Sequence, residues 1–212
     1  MKRYLWVLPA AALVLMAVAP TSVTLSGTFQ SELGCGGDND PTCATTDLTY
    51  SAANDKWTGS FTIPAGTFTY KAALNHAGTT TYPGNAISIT GTGAPVKFYY
   101  DDNTQWVGDS VTSTIATVAG DFQTAVGCAG MWDPACLKSQ LTDADGDGIY
   151  TFTTSALPAG SIQFKVAHNE AWTTSYGDQG GANNFNARVA AAGQPVTLPT
   201  TPRRTGRSCA AR

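Results

Sequence analysis

Two aromatic residues, Trp172 and Tyr176, stand four positions apart in NEAWTTSYGDQGGANN (169–184), a stretch otherwise made mainly of small and polar residues. Their rings combine a large apolar surface with a polar group, which suits half-exposed positions. Flat C–H patches of a sugar pack on such rings, while amides and carboxylates bind its hydroxyls. The polar neighbours available for this are Asn169, Glu170, Asp178, Gln179 and Asn183. The stretch indicates a sugar-stacking site, and packing of a long loop is the alternative.

A strand pattern precedes this loop and would position it. In SIQFKVAH (161–168) every second residue is large, ending at His168, and Lys165 lies on the opposite face. Asn169 continues the Lys165 face by even spacing. We therefore add Lys165 and Asn169 to the candidate sugar ligands. The place of His168 on the apolar face favours a packed histidine over a catalytic one.

The chain contains an internal duplication. CGGDNDPTC (35–43) and CAGMWDPAC (128–136) share the spacing C-x7-C. Other residues recur at an offset of 93 or 94 positions, including Phe29 and Phe122, Gln30 and Gln123, Lys71 and Lys165, Asn75 and Asn169, and Tyr82 and Tyr176. A repeat of this length is too long for a solenoid unit and predicts two autonomous domains. We assign them to residues 23–107 and 112–198, with the joint in 103–114.

Each repeat is predicted to be all-β, because short alternating segments are bounded by Gly, Pro, Asn and Asp and no amphipathic helix is evident. The predicted strands are 23–29, 56–63, 67–74, 86–90, 95–100, 148–154, 161–168 and 186–190. About seven short strands per repeat favour two tandem immunoglobulin-like β-sandwiches. Trp57 and Tyr150, at aligned strand starts, are assigned to the cores.

Residues 1–22 have the layout of a secretory signal peptide, with Lys2 and Arg3 before an apolar run and small residues after it. The run is too short for a comfortable membrane span and contains Pro9. A buried strand or a membrane anchor is the alternative. We expect a secreted protein with no membrane attachment after cleavage.

Export makes disulfides the better interpretation of four matched cysteines, Cys35, Cys43, Cys128 and Cys136. Zinc sites usually have closer cysteines and often histidines. Each short disulfide loop would stabilise the fold by about 2–3 kcal/mol.

The acidic run DADGDGIY (143–150) begins like a calcium-binding loop, but Thr154 occupies the position where the final acidic ligand is needed. A hairpin turn is therefore favoured, and no metal is predicted.

Charge and motifs disfavour other function classes. Only 13% of residues are charged, against about 25% in typical domains. Between residues 4 and 202, six basic side chains face 15 acidic ones, a net charge of −9, which opposes nucleic-acid binding and anionic membranes. The sequence has no G-x-S-x-G, H-E-x-x-H or phosphate-loop motif. We expect a noncatalytic protein without a cofactor.

The chain resembles the β-sandwich modules that occur in tandem before the catalytic domain of bacterial pullulanases. The resemblance runs from VTLSGTFQSELGCGGDNDPTC in the first repeat to GDFQTAVGCAGMWDPAC and LPAGSIQFKVAHNEAWTTSYG in the second. Cysteines, DP, PAG and K-x-A-x-N recur in order. The resemblance implies noncatalytic, starch-binding-type modules that bind α-glucans such as starch, glycogen or pullulan.

The expected function is therefore substrate targeting for a secreted pullulanase-like enzyme, by raising its local concentration at an α-glucan. A covalently linked catalytic domain missing from this chain is the expected partner. A cell-surface spacer or adhesion module without sugar binding is the alternative. An unrecognised hydrolase is a third hypothesis.

Other candidate ligands are weaker. Trp132 replaces Asn39 of the first repeat within the disulfide loop, which suggests exposure and sugar contact. The first repeat keeps Lys71, Asn75 and Tyr82 but reads NHAGTTTYPG, with Gly78 in place of the tryptophan. We expect the first repeat to bind weakly or not at all.

The C-terminal segment 199–212, PTTPRRTGRSCAAR, matches neither repeat and ends near a lone Cys209. Pro199 and Pro202 remove backbone donors where the first repeat has the closing strand PVKFYYD. We expect an irregular tail. Our hypothesis is a reading-frame slip near Leu198 that truncates a longer protein.

Overall fold

A computed structural model of the chain describes residues 19–143, 147–200 and 209–210. The predicted signal peptide up to residue 18 and most of the predicted tail lie outside these ranges. The described residues form an all-β fold, as predicted, with helical structure confined there to short 3-10 turns. In the same ranges no helix is long and apolar enough to cross a membrane. We call residues 23–109 module 1 and residues 116–200 module 2.

Module 1 is a sandwich of seven strands. They are β1 (Val23–Gly27), β2 (Asp47–Ser51), β3 (Lys56–Thr62), β4 (Gly66–Leu74), β5 (Thr81–Gly91), β6 (Pro95–Asp101) and β7 (Trp106–Asp109). Their order is β5-β4-β1-β2-β3-β6-β7. Strand β2 pairs with β1 at one end and with β3 at the other, so it links the two layers.

Module 2 repeats this plan with a reduced second layer. Its strands are β8 (Ala116–Gly120), β9 (Gln140–Leu141), β10 (Thr151–Thr154), β11 (Gly160–His168), β12 (Ala171–Tyr176), β13 (Phe185–Val189) and β14 (Val196–Pro199). Strands β13, β11, β8 and β9 form one sheet, in which β12 also pairs with β11, and β10 and β14 form the other. A short strand β15 (Cys209–Ala210), in the segment predicted to be irregular, runs parallel to β13.

Each module has its own core, built from the alternating apolar residues of its strands. In module 1 the rings of Phe29, Tyr70 and Phe98 meet at centroid distances of 5.0–6.2 Å. In module 2 Phe122 and Phe164 occupy the matching places. Trp57 and Tyr150 pack against these cores, as predicted.

The disulfides Cys35–Cys43 and Cys128–Cys136 are present, as predicted. Beside each loop lies a fully buried glutamine, Gln30 or Gln123. The amide of Gln123 accepts from the Gly120 and Asp133 N–H groups and donates to the Asp133 carbonyl and the Ser139 hydroxyl. Gln30 makes the same four kinds of bond in module 1. The duplicated pattern therefore reflects a duplicated loop scaffold.

Several strands differ from the sequence prediction. Segment 103–114, predicted to be a joint, contains β7, and the predicted loop after His168 contains β12. Strands β2, β8, β9 and β14 were not predicted either, and β14 includes Pro199, which was assigned to the irregular tail. Strands β7 and β9 have four and two residues, and β12 carries polar residues at most positions, so none shows a long alternating pattern.

The modules contact one another directly. Buried Tyr99, Ile115 and Leu137 form a small apolar cluster at the junction, with Trp106 packed against it. The Leu137 N–H donates to the side-chain oxygen of Asn54 at 3.2 Å. This junction orients the hairpin that carries the predicted site.

Candidate functional site

The hairpin between β11 and β12 turns through Asn169 and Glu170. Both have positive φ angles, 55° and 56°, and His168 pairs with Ala171 across the turn. Two positive φ angles define a type I′ hairpin turn, in which asparagine is favoured. Asn169 therefore does not continue the strand face as the sequence analysis expected. Its backbone N–H donates to the Ile115 carbonyl at 2.7 Å.

Trp172 lies in a bulge of β12. Ala171 pairs with His168, but Ser175 pairs with Ala167 and Tyr176 with Val166, so residues 172–174 have no partner on β11. A bulge interrupts the alternation of side chains along a strand. Spacing by four residues therefore does not place Trp172 and Tyr176 on a common face. Their side chains are nevertheless 42% and 50% exposed, unusually high for large aromatic residues beside a core.

Tyr176 shares a sheet face with Val166 and His168, and its ring centroid is 5.0 Å from that of His168. Together with Tyr150 and Thr200, these residues line an apolar cavity of about 220 Å³. Burial lowers the pKa of His168, so the neutral imidazole is favoured. Tyr176 thus packs against His168 of the neighbouring strand β11, while half of its surface remains exposed to solvent.

Lys165 fixes the loop that follows β12. Its ammonium donates to the Gly181 carbonyl at 2.9 Å. Within the loop, Asp178 and Asn183 form a bridge, in which the Asn183 N–H donates to the Asp178 carbonyl. The side chain of Asn183 is exposed. Lys165, predicted as a sugar ligand, therefore has a structural bond to the loop, and Asn183 remains open to solvent.

Glu170 lies at the junction between the modules. Its carboxylate accepts from the Lys97 ammonium at 2.7 Å to each oxygen, and from the Tyr99 hydroxyl at 2.6 Å. Burial, reinforced by this hydrogen bond, raises the pKa of Tyr99 far above its usual range. The side chain of Glu170 is only 16% exposed. The structure thus places this predicted sugar ligand in an ion pair that anchors the hairpin to module 1.

Trp132 is half-buried in the disulfide loop and has a φ angle of 58°. The backbone N–H of Trp132 donates to the Gly120 carbonyl. In module 1 the backbone N–H of Asn39 donates to the Gly27 carbonyl in the same way. Asn39 has a similar φ angle of 54°. Asparagine tolerates this left-handed conformation well, whereas a bulky residue there is an outlier. Strain of this kind is found at functional sites, which keeps Trp132 a candidate.

In module 1 the matching residues serve the fold. The side-chain oxygen of Asn75 accepts from the Thr21 N–H at 2.7 Å. The Tyr82 ring stacks on Tyr100 at 6.1 Å and an interplanar angle of 19°. Lys71 donates to the Gly84 carbonyl. Gly78, in the place of Trp172, offers no ring.

The acidic run 143–150 is described in part, since residues 144–146 lie outside the described ranges. The Asp143 carboxylate accepts from the N–H groups of Asp147 and Gly148, each at 3.1 Å. Across the part of the chain that the structure describes, no group of three or more His, Cys, Asp or Glu side chains could hold a metal ion.

The anchoring partners Lys97 and Tyr99 lie more than 70 positions from Glu170 and were not predicted from the sequence. Tyr50, which is 47% exposed in module 1, was not predicted either. Tyr50 lies on the short, mostly polar strand β2, and its sequence neighbours look like those of an ordinary surface residue. Its exposed ring is therefore recognised only in the structure.

Two successive β-sandwich units, each with a disulfide loop and a buried glutamine, define a tandem of two all-β modules rather than a single domain. The model of the Pullulanase X25 domain matches residues 22–107 and 115–205, and the chain belongs to this family. The resemblance to pullulanase modules is thereby confirmed.

Relatives include two amylopullulanases. The chain is 30% identical over 178 residues to that of Thermoanaerobacter thermohydrosulfuricus, covering 79% of this chain and 12% of that protein. It is 28% identical over 183 residues to that of Thermoanaerobacterium saccharolyticum, covering 82% and 14%. A solved structure, pullulanase from Bacillus acidopullulyticus, shares 19% identity with a TM-score of 0.41, covering 86% of this chain and 28% of that one. The chain therefore spans a small part of these proteins.

Proposed function

We propose that the chain is a noncatalytic, α-glucan-binding module pair of a secreted pullulanase-type enzyme. It binds starch, glycogen or pullulan through the β11–β12 hairpin of module 2. Membership of the Pullulanase X25 domain family supports this proposal, as do the names of its amylopullulanase relatives. Attachment to a polysaccharide would raise the concentration of a linked catalytic domain at its substrate.

The exposure of Trp172 and Tyr176 carries the proposal. Exposed rings of this size gain little from packing and leave apolar surface in water. The hairpin is nevertheless held in place at its turn by Glu170 and at the next loop by Lys165. A ring presented on a fixed element loses little conformational entropy when it binds a ligand.

The proposed binding surface consists of the two rings with nearby exposed polar groups. Asn169, in the turn before Trp172, and Asn183, in the loop after Tyr176, are exposed, and their amides can both donate to and accept from sugar hydroxyls. Trp132 is an additional candidate. In module 1, Tyr82 is stacked on Tyr100 and Asn75 is bonded to Thr21, so we assign it at most weak binding.

Affinity electrophoresis in gels containing amylopectin, pullulan or dextran tests the proposal. We expect retardation by amylopectin and pullulan but not by dextran. Trp172→Ala should weaken retardation at least about tenfold, the effect of losing about 1.4 kcal/mol. Its thermal midpoint should stay within a few degrees of that of the unmodified chain, because the ring is exposed.

Val111→Ala provides the matched control, since Val111 is also an exposed apolar side chain, 56% accessible and outside the hairpin. It should migrate like the unmodified chain. Absence of retardation in all three gels would favour the spacer or adhesion alternative. Release of reducing sugar would instead revive the hydrolase hypothesis. Unfolding of Trp172→Ala would show that the ring is structural and that the proposed site is wrong.

A further inference from the structure

A cleft of about 710 Å³ lies between the two modules, away from the β11–β12 hairpin. Module 1 contributes residues from β2, β3 and the end of β6, and module 2 contributes residues from β9 and β10. Small-molecule sites commonly have volumes of about 300–1,000 Å³. The cleft is therefore large enough for several sugar units, and its lining identifies the ligand it suits.

An ordered aromatic ring lines one wall of the cleft. The Tyr50 side chain is 47% exposed, and its hydroxyl donates to Asp55 at 2.7 Å. The other carboxylate oxygen of Asp55 accepts from the Asn103 amide at 3.1 Å. The hydrogen bond from Tyr50 lowers the pKa of Asp55, which keeps this acceptor ionised. The ring is thus fixed before any ligand arrives.

A buried acceptor without a partner lines the other wall. Gln140 is 7% exposed, and its side-chain oxygen accepts no hydrogen bond from any residue that the structure describes. Leaving a buried acceptor unpaired is costly, so such groups are rare in native structures. That oxygen has almost no accessible surface, so a ligand hydroxyl in the cleft would supply the missing donor once the Gln140 amide rotates toward it.

The charges of the cleft balance. Its described lining contains two carboxylates, Asp55 and Asp101, and two ammonium groups, Lys56 and Lys138. Lys56 and Asp101 are already paired at 3.1 Å, with side chains 8% and 6% exposed. The hydroxyl-bearing residues Thr104, Thr142, Thr151 and Thr153 also line the cleft, together with the apolar residues Ala52, Val126, Leu137 and Phe152. A charged ligand would meet no net attraction here, whereas a neutral, hydroxyl-rich one meets many hydrogen-bonding groups.

We propose that this cleft is a second carbohydrate site, in which a neutral oligosaccharide stacks on Tyr50 and donates a hydroxyl to the side-chain oxygen of Gln140 after the Gln140 amide rotates toward the cleft. The site would use both modules and is separate from Trp172. Only the choice of an α-glucan as its ligand rests on the proposed function.

Titration of the full chain with maltoheptaose, followed by NMR of the side-chain amides, tests the proposal. The experiment is done in the Trp172→Ala background, so that the hairpin does not contribute. We expect the amide signals of Gln140 and Asn103 to shift on titration. Tyr50→Ala should lower the association constant of this site at least about fivefold, through loss of the stacking surface. Met131→Ala, at a side chain 55% exposed outside the cleft, should leave it unchanged.

Gln140→Met separates a ligand contact from a structural role. Removing an unpaired buried oxygen should leave the thermal midpoint unchanged or raise it, while binding in the cleft weakens. A fall in midpoint would mean that Gln140 serves the fold and would overturn its role as a ligand. Absence of shifts at Gln140 and Asn103 would overturn the cleft proposal, whether or not the unmodified chain is retarded by amylopectin. Shifts in the cleft without such retardation would support the cleft and refute the hairpin.

Discussion

The two modules differ most at the end of the sandwich where module 1 places β6 and β7. Tyr100 of β6 pairs with Trp57, is fully buried and stacks on Tyr82. The residue in its place in module 2 is Thr200, whose N–H donates to the Tyr150 carbonyl at 2.9 Å. The backbone ladder thus continues, but a small side chain stands where module 1 has a ring. The apolar cavity of about 220 Å³ lies at this position.

The modules also differ at the core residue that faces the closing strand of module 1. In module 1 the Tyr70 hydroxyl donates at 2.7 Å to Asp109 of β7, which is fully buried. Module 2 has Phe164 in the place of Tyr70, and its described strands include no counterpart of β7 between β14 and β15. A tyrosine without that carboxylate would bury an unpaired hydroxyl. In module 1 this hydrogen bond therefore couples the closing strand β7 to the core strand β4.

The disulfide loops are where the modules agree, and there we expect the largest effect. Gln30→Leu or Gln123→Leu would leave two backbone N–H groups and one carbonyl without partners in the interior. Each orphaned group costs about 1–3 kcal/mol, and three groups near the low end of that range should lower the free energy of unfolding by about 3–5 kcal/mol. Urea denaturation of the full chain measures this.

Gln163→Leu, at an exposed glutamine of β11, is the control and should cost far less. If only one of the two buried substitutions were strongly destabilising, the loops would not be equivalent scaffolds. That result would show that the two modules differ even in the disulfide loops, where their hydrogen bonds match.

A reciprocal exchange tests the closing strand. Tyr100→Thr removes a buried ring from module 1, a change that costs about 3–5 kcal/mol in comparable cores. Thr200→Tyr should place a ring in the module 2 cavity and raise stability by about 1 kcal/mol, as filling of cavities commonly does. Thermal unfolding of each full-length variant gives the measurement. Destabilisation by Thr200→Tyr would mean that the cavity does not match the Tyr100 site.

The fold was largely predictable because the same pattern of cysteines, glutamine and strand residues occurs in both repeats. Paired cysteines, the aligned Gln30 and Gln123, and the alternation around His168 all predicted features that the structure contains. The site was less predictable. The bulge at Trp172 depends on how β12 pairs with β11, which residue types do not reveal. Glu170 was predicted to bind sugar because it is a polar residue close to Trp172 and Tyr176 in the sequence. Its partners Lys97 and Tyr99 belong to the other module, and the sequence contains no pattern that reveals such a pairing.

The smallest expected effect concerns His168, which stands where module 1 has Leu74. Burial lowers the pKa of His168 from its ordinary value of 6.5. As the pH falls through that ordinary value, the unfolded chain gains a proton that the folded chain does not yet bind, so stability decreases. The decrease ends once the pH is below the lowered pKa of the folded state. His168→Leu removes this proton-linked loss and introduces the residue that module 1 already accommodates.

Urea denaturation of the two proteins between about pH 7.5 and pH 5 should therefore show stability curves that diverge. The advantage of His168→Leu should be smallest at the higher pH and should grow as the pH falls. His76 and the carboxylates are present in both proteins, so their titration cancels in the difference. A difference that does not change with pH would show that His168 is as accessible to protons when folded as when unfolded, and that module 2 tolerates the histidine because its cavity is open to water.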